Sequence, residues 1–229
     1  MKHTPQERAA LLEAIRSRHS VRKYTDRPLT QEHIAALQEE IDTCNREGGL
    51  HIQLVVNERK AFGSFLAHYG FFSGVTDYIA LVGPKGEGLE EKCGYYGEHL
   101  VLKAQNLGMN TCWVAATYKK VAEAFSVCEG EQLCLVIAIG YGQTQGKSRR
   151  SKNFEAVTRT QGEIPAWFRD GVEAALLAPT AVNQQKFTFE LEGDRVEAAA
   201  GSGPCTRIDL GIVKYHFEVG AGQENFRWK

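Results

Sequence analysis

Arg16-Ser17-Arg18-His19-Ser20-Val21-Arg22-Lys23-Tyr24 follows what reads as a first helix and precedes Pro28. In an extended backbone successive side chains alternate faces, so Arg18, Ser20 and Arg22 project to one side. Two guanidinium forks flanking a hydroxyl make a compact anion site, because arginine keeps its charge and offers its donors in a fixed plane. The plainer reading is a solvated basic helix end, where cations are favoured in any case. The choice between the two rests on the rest of the chain.

The chain has 229 residues, 43% of them hydrophobic, enough for a sizeable core in one domain or two closely packed halves. A net charge of −1 provides no basic field for nucleic acid or an anionic membrane. The start, Met-Lys-His-Thr-Pro-Gln-Glu-Arg, has no apolar signal core, and no apolar run approaches a membrane span. These features lead us to expect a cytoplasmic protein. The six cysteines (Cys44, Cys93, Cys112, Cys128, Cys134 and Cys205) form no Cys-x-x-Cys pair, and no Cys/His cluster has zinc spacing. They are expected to be reduced thiols, with Cys112 and Cys134 as small buried hydrophobes.

Thr4-Pro5-Gln6-Glu7 is a capping box, and Leu11, Leu12 and Ile15 mark a helix running to about Arg18. Thr30 should cap a second helix, with Leu29 and Ile34 as its hydrophobic staple, Leu37 and Ile41 buried, and its end at Asn45 to Gly49. His51–Val56 alternates as a strand. Asn57–Gly74 is rich in aromatics and fits a short helix with either a mobile lid or a fixed plug. Tyr78–Val82 reads as a strand buried on both faces. Gly97–Leu107 reads as a helix stopped by Gly108, Glu123–Phe125 as a short helix, and Leu133–Ile139 as a central strand. A basic loop with Lys147, Arg149, Arg150 and Lys152 follows. Ile164-Pro165 opens a helix closed at Pro179. Phe187–Leu191 and Arg195–Ala200 are expected strands, and Gly211–Val219 a last helix.

A weak internal repeat runs through this pattern. Leu37–Val56 and Val172–Leu191 superpose without a gap, as do the helices Gly97–Gly108 and Gly211–Gly222. Each half then reads helix, strand, strand, helix. A single domain, 1–229, is expected, and the repeat allows pseudo-symmetric halves, 1–160 and 161–229, in which one chain imitates a dimer.

Four segments resemble the FMN-dependent nitroreductase family. Arg18-His19-Ser20-Val21-Arg22 is similar to the Arg-x-Ser-x-Arg segment that opens it. Ala178-Pro179-Thr180-Ala181-Val182-Asn183-Gln184-Gln185-Lys186-Phe187 resembles its Ala-Pro-Ser-x-x-Asn-x-Gln-Pro-Trp motif. Leu107-Gly108-Met109-Asn110-Thr111-Cys112-Trp113 resembles Gly-Leu-Gly-Thr-Cys-Trp. Gly140-Tyr141-Gly142 through Lys152-Asn153-Phe154-Glu155-Ala156-Val157 resembles the family's terminal basic segment. The second motif normally lies in the first half of the chain. Its place near the C-terminus here, with Tyr78–Gly83, resembles the divergent TM1586-type branch, in which the halves are rearranged. Taken singly, these segments also read as a helix-to-strand turn, an apolar helix end and a solvated basic loop.

The resemblance implies an α+β nitroreductase-like fold, with a mainly antiparallel central sheet flanked by helices, and non-covalent FMN. It implies that Arg18, Ser20, Arg150 and Lys152 take the phosphate, which needs several charge-assisted donors. His19 would contact the ribityl chain. Arg22, and Asn183 with Gln184 or Gln185, would take the pyrimidine edge, because a side-chain amide carries donors and an acceptor in one plane. Main-chain groups at Ala115 and Ala116 would approach flavin N5. No catalytic acid or base and no metal are expected, because the cofactor does the redox chemistry. The implied activity is ping-pong reduction of nitroaromatics or quinones with NAD(P)H as reductant. The alternatives are an FMN carrier or sensor, and another flavin reaction such as dehalogenation or flavin fragmentation. The partner is a small-molecule acceptor, with no nucleic acid and no membrane, and the protein is a homodimer or a pseudo-dimeric monomer.

Overall fold

The order of elements along the chain is α1 (Pro5–Ser17), α2 (Gln31–Gly48), β1 (Gln53–Val55), α3 (Phe65–Tyr69), β2 (Asp77–Pro84), α4 (Leu89–Asn106), β3 (Asn110–Val114), β4 (Glu131–Gly140), β5 (Thr158–Thr160), α5 (Ala166–Ala175), β6 (Phe187–Glu192), β7 (Arg195–Ala200), α6 (Thr206–Ala221) and β8 (Arg227–Trp228). This is a computed structural model, and it describes residues 3–63, 65–160 and 162–229. Ser64, within the aromatic stretch Asn57–Gly74, lies outside the described residues, as do Met1, Lys2 and Gln161. The elements form two units, each assembled from separate stretches of chain.

The antiparallel unit comprises Arg18–Leu89 and Leu100–Lys147. Its sheet has the order β1-β2-β4-β3, with every neighbouring pair antiparallel. β2 and β4 are central and buried along most of their length, as their unbroken apolar runs require. Tyr78, Ala80, Val82, Val136 and Ala138 pack on one face with Phe62, Phe72, Val75 and Phe125. Thr30 caps α2 by accepting from the His33 N–H at 3.2 Å, and Gly49 closes it in the left-handed region, φ 61°. In the aromatic stretch α3 is the short helix, with Phe62 and Phe72 buried and Phe65, Tyr69 and Phe71 exposed. The expected helix at Glu123–Phe125 is instead a turn, with the Ala124 N–H bonded to Val121 O at 3.2 Å. Three residues cannot repay the cost of nucleating a helix.

The mixed-sheet unit comprises Met1–Ser17, Glu90–His99 and Ser148–Lys229. Its sheet has the order β5-β6-β7-β8, with β6 and β7 an antiparallel hairpin and the two outer pairs parallel. Its core is aromatic. Phe189 stacks on Phe217 at 4.7 Å, and Phe168, Phe226 and Trp228 close around the same ring. The Thr4 box caps α1 reciprocally, the Thr4 N–H donating to Glu7 Oε2 (2.7 Å) and the Glu7 N–H to Thr4 Oγ1 (3.3 Å).

Helices α4 and α6 begin earlier than their sequence suggests, at Leu89 and Thr206 rather than Gly97 and Gly211. In the mixed-sheet unit a Cβ on Gly94 would lie 2.1 Å from Ile208 O, and one on Gly211 would lie 1.9 Å from Glu91 O. These glycines are contact points between the two helices.

Candidate functional site

From Arg18 onward the basic stretch lies in the antiparallel unit and is extended, as its alternation implies, while Arg16 and Ser17 end helix α1. Ser20 bridges Thr111 of β3, the Val21 N–H donates to Thr111 O (3.0 Å), and the Tyr24 N–H donates to Ser73 O (2.9 Å). Val21 and Tyr24 are buried, Ser20 is half-buried and Arg22 is exposed, with its guanidinium 5.8 Å from the Phe72 ring centre. Arg18 is only 3% exposed, an unusual place for a guanidinium. The Cys112 thiol of β3 reports on this group. Burial pushes its pKa up, while the charges of Arg22 and Arg18 and a hydrogen bond with Ser20 pull it down. Arg18, Ser20 and Arg22 therefore share one neighbourhood. His19 packs close to Gly146, where an added Cβ would stand 2.6 Å from His19 Cβ. Ala115 and Ala116 lie in an exposed bend directly after β3. A groove of about 1150 Å³ in this unit, lined by residues such as Tyr24, Arg59, Phe62 and Asp77, contains none of these candidate ligands.

The mixed-sheet unit brings Arg150, Lys152, Asn183, Gln184 and Gln185 together. The loop between Thr180 and Lys186 holds Val182, Asn183 and Gln185 at φ 44°, 55° and 44°. For Val182, β-branched and 94% exposed, that backbone is a genuine outlier, and such strain concentrates at functional sites. Hydrogen bonds hold the loop in place. The Ala181 N–H and the Gln184 amide both donate to Asp209, at 2.9 and 2.7 Å. Burial raises the Asp209 pKa against those two bonds. Gln185, 2% exposed, accepts from the Lys152 N–H (2.7 Å) and donates to Leu176 O (2.8 Å), while Lys152 Nζ donates to Gln185 O (2.7 Å).

Three candidates therefore differ from one another in a way the sequence conceals. The amide of Gln185 is fully engaged inside the protein, and that of Gln184 is tied to Asp209 and Pro204 O. These two shape the loop. Asn183 donates from Nδ2 to Arg150 O at 2.8 Å, but its Oδ1 is buried and has no hydrogen-bond partner among the described residues. A buried acceptor without a partner is costly unless a ligand completes it. The flavin pyrimidine N3–H is a donor of the required kind, so this residue fits the group that the sequence motif implies. Sequence spacing missed Asp209, which anchors the loop from α6, because nothing in its surroundings marks it out. It also missed a second grouping. The ligand atoms of His51, Cys128 and Glu131 lie within 4.8 Å of one another in the antiparallel unit, a grouping that sequence spacing does not show.

A family model described as "Putative TM nitroreductase", of the TM1586 type, matches residues 10–221. The chain belongs to the TM1586-type nitroreductase family. The Thermotoga maritima structure titled as a putative nitroreductase of this type shares its fold with a TM-score of 0.63 at 22% identity, over 92% of this chain and 82% of that one. A Desulfovibrio desulfuricans nitroreductase crystallised in complex with FMN has a TM-score of 0.54 at 18% identity, over 72% and 100% of the two chains. The NfrA2 structure of B. megaterium has 0.54 at 13%, over 72% and 81%. At these identities the likeness is one of fold. No curated protein matches the sequence. Among the described residues of this TM1586-type chain, no helix is long and apolar enough to cross a membrane.

Proposed function

We propose that this TM1586-type nitroreductase binds FMN non-covalently, takes hydride from NAD(P)H and passes the electrons, by ping-pong turnover in the cytoplasm, to a small acceptor such as a nitroaromatic or a quinone. The observation that carries the reading is Asn183 Oδ1, a buried acceptor with no partner among the described residues, in a strained loop held by Asp209 and Gln185. When bound, FMN supplies the ring that accepts and donates hydride.

The residues supply binding and electrostatics. Arg18 and Ser20, with Arg150 and Lys152, take the phosphate, since a dianion needs several charge-assisted donors to offset its desolvation. His19 takes the ribityl chain. Asn183 Oδ1 takes the pyrimidine N–H, and Arg22 places a cation where negative charge develops on that edge. Ala115 and Ala116 present backbone without side-chain bulk for the ring to approach. Gln184 and Gln185 position Asn183. We take the chain to act as one domain, either as a homodimer or as a monomer with pseudo-dimeric halves.

The test is a visible spectrum of the purified protein with and without added FMN. A flavin spectrum that bleaches with NADH or NADPH under anaerobic conditions and recovers with a nitroaromatic is expected. A colourless preparation that takes up no FMN overturns the reading. Arg18→Ala should lose FMN with circular dichroism unchanged, and unaltered affinity would remove Arg18 from the phosphate site.

A further inference from the structure

Away from the residues assigned to flavin, the antiparallel unit gathers three side chains of metal-binding type. His51 lies just before β1, where its N–H donates to Val82 O at 2.8 Å. Glu131 opens β4 opposite Pro84 of β2. Cys128 is exposed on the turn that leads into β4. That turn is closed by the Glu131 N–H donating to Cys128 O (3.0 Å) and by the Lys85 N–H donating to Gly130 O (2.8 Å), with Gly130 at φ 80°. All three residues are thus held by the backbone of one sheet.

We propose that His51, Cys128 and Glu131 form a binding site for a divalent cation of the zinc class, with solvent completing the coordination. An imidazole nitrogen, a thiol sulfur and a carboxylate oxygen all lie within 4.8 Å of one another, and His51 Nδ1 is 2.9 Å from Glu131 Oε2. In a tetrahedral zinc site with bonds near 2.0–2.3 Å, ligand atoms stand roughly 3.3–3.6 Å apart. Side-chain rotations of about an ångström reach that arrangement without moving the sheet. The donor set selects the metal. A thiolate with an imidazole favours zinc over magnesium or calcium, which prefer oxygen alone. The His51 and Glu131 side chains are 33% and 17% exposed, so an ion enters from solvent without deep desolvation. On binding, Cys128 Sγ gives its proton to solvent and coordinates as thiolate, and the proton that His51 Nδ1 shares with Glu131 passes through solvent to Nε2, which leaves the Nδ1 lone pair for the metal. The bound ion ties the Cys128 turn to the start of β1 across the sheet edge and stabilises this unit by mass action.

A plain His51–Glu131 ion pair, with the Cys128 N–H also donating to Glu131 Oε2 at 2.8 Å, would leave the Cys128 thiol uninvolved, and the test turns on that difference. The full-length protein, freed of metal with a chelator and kept reduced, is titrated with zinc chloride in a calorimeter. In parallel, the rate of Cys128 alkylation by iodoacetamide is followed by peptide mass spectrometry. One zinc per chain is expected, with Cys128 alkylation slowed at least about tenfold and Cys205→Ser without effect on either readout. His51→Ala and Cys128→Ser should each weaken zinc binding by about 100-fold, and His51→Ala should abolish the protection of Cys128. Cys128→Ser changes an exposed turn residue and is expected to fold as the parent does. The proposal is overturned if zinc does not bind, if it binds His51→Ala as tightly as the parent, or if it leaves the Cys128 alkylation rate unchanged.

Discussion

Asn183 and Gln185 stand two positions apart in one polar run, and the structure gives them opposite tasks. Gln185 satisfies the Lys152 N–H and Leu176 O inside the protein, whereas Asn183 keeps a buried oxygen without a partner among the described residues. Asn183→Gly is therefore expected to keep the fold, since glycine tolerates φ 55° without strain. It should weaken FMN binding by about tenfold or more, the value of one buried hydrogen bond. Flavin fluorescence titration measures this. Gln185→Leu should do the reverse, unfolding the protein more readily because the Lys152 N–H loses its acceptor and Leu176 O keeps only the Ser151 hydroxyl, together worth about 1–3 kcal/mol. A melting temperature lower by roughly 2–4 °C per kcal/mol is expected. The motif itself was legible in the sequence. Which amide oxygen is left without a partner was not, because that depends on Lys152 and Leu176, neither of them adjacent to the run. Asp209 adds a pH dependence. Burial raises its pKa, so above the ordinary aspartate value near 3.9 the native chain keeps a proton that the unfolded chain has lost. The stability this contributes is full at low pH and is lost as pH rises through the raised native value. Melting curves from about pH 4 upward should show that loss in the parent and not in Asp209→Asn.

At the scale of elements, the sequence was most legible where a local rule and the tertiary structure agree. The Thr4 box, the Thr30 cap and the Gly49 stop all stand where their chemistry placed them, and the apolar runs of β2 and β4 became the central strands. It was least legible at Gly94 and Gly211. Gly211 reads locally as the start of a helix and Gly94 lies ahead of the expected one, yet both lie inside helices, where a side chain at either position would strike the other helix's backbone. The short strands β5 and β8, of three and two residues, carry too little pattern to be seen without their partners. Gly211→Ala tests this account. Alanine gains about 1 kcal/mol over glycine in a helix interior. Its Cβ would sit 1.9 Å from Glu91 O and 2.6 Å from the Tyr95 nitrogen, both backbone atoms that cannot rotate away. A net loss of about 3 kcal/mol or more is expected, seen as a melting temperature lower by roughly 6–12 °C. An unchanged or higher melting temperature would mean that the two helices have room to separate.

For the whole molecule, the question is whether the second half of the repeat is a domain in its own right. The mixed-sheet unit does not follow the order of the chain. It takes Met1–Ser17 and Glu90–His99 as well as Ser148–Lys229. Helix α6 shows what a fragment beginning at residue 161 would lack. His216, fully buried, places Nδ1 at 3.0 Å from Ala174 O, to which it donates, and Nε2 at 2.8 Å from the equally buried Glu98. The neighbouring Tyr215 hydroxyl lies 2.6 Å from His99 Nδ1, and Arg8 of α1 donates to Val219 O and Gly220 O. Removing one partner of a buried pair costs about 3–5 kcal/mol, a large part of a domain's total stability. The fragment would also leave the α6 face that packs against Glu91 and Tyr95 in water. A 161–229 polypeptide is therefore expected to be largely unfolded, with poor amide dispersion by NMR and no cooperative melt. Co-expression with 1–160 should restore a folded complex, since the missing stretches return with it. A well-dispersed, cooperatively melting 161–229 fragment would instead show that the buried Glu98–His216 pair is dispensable and that the repeat marks two separable domains.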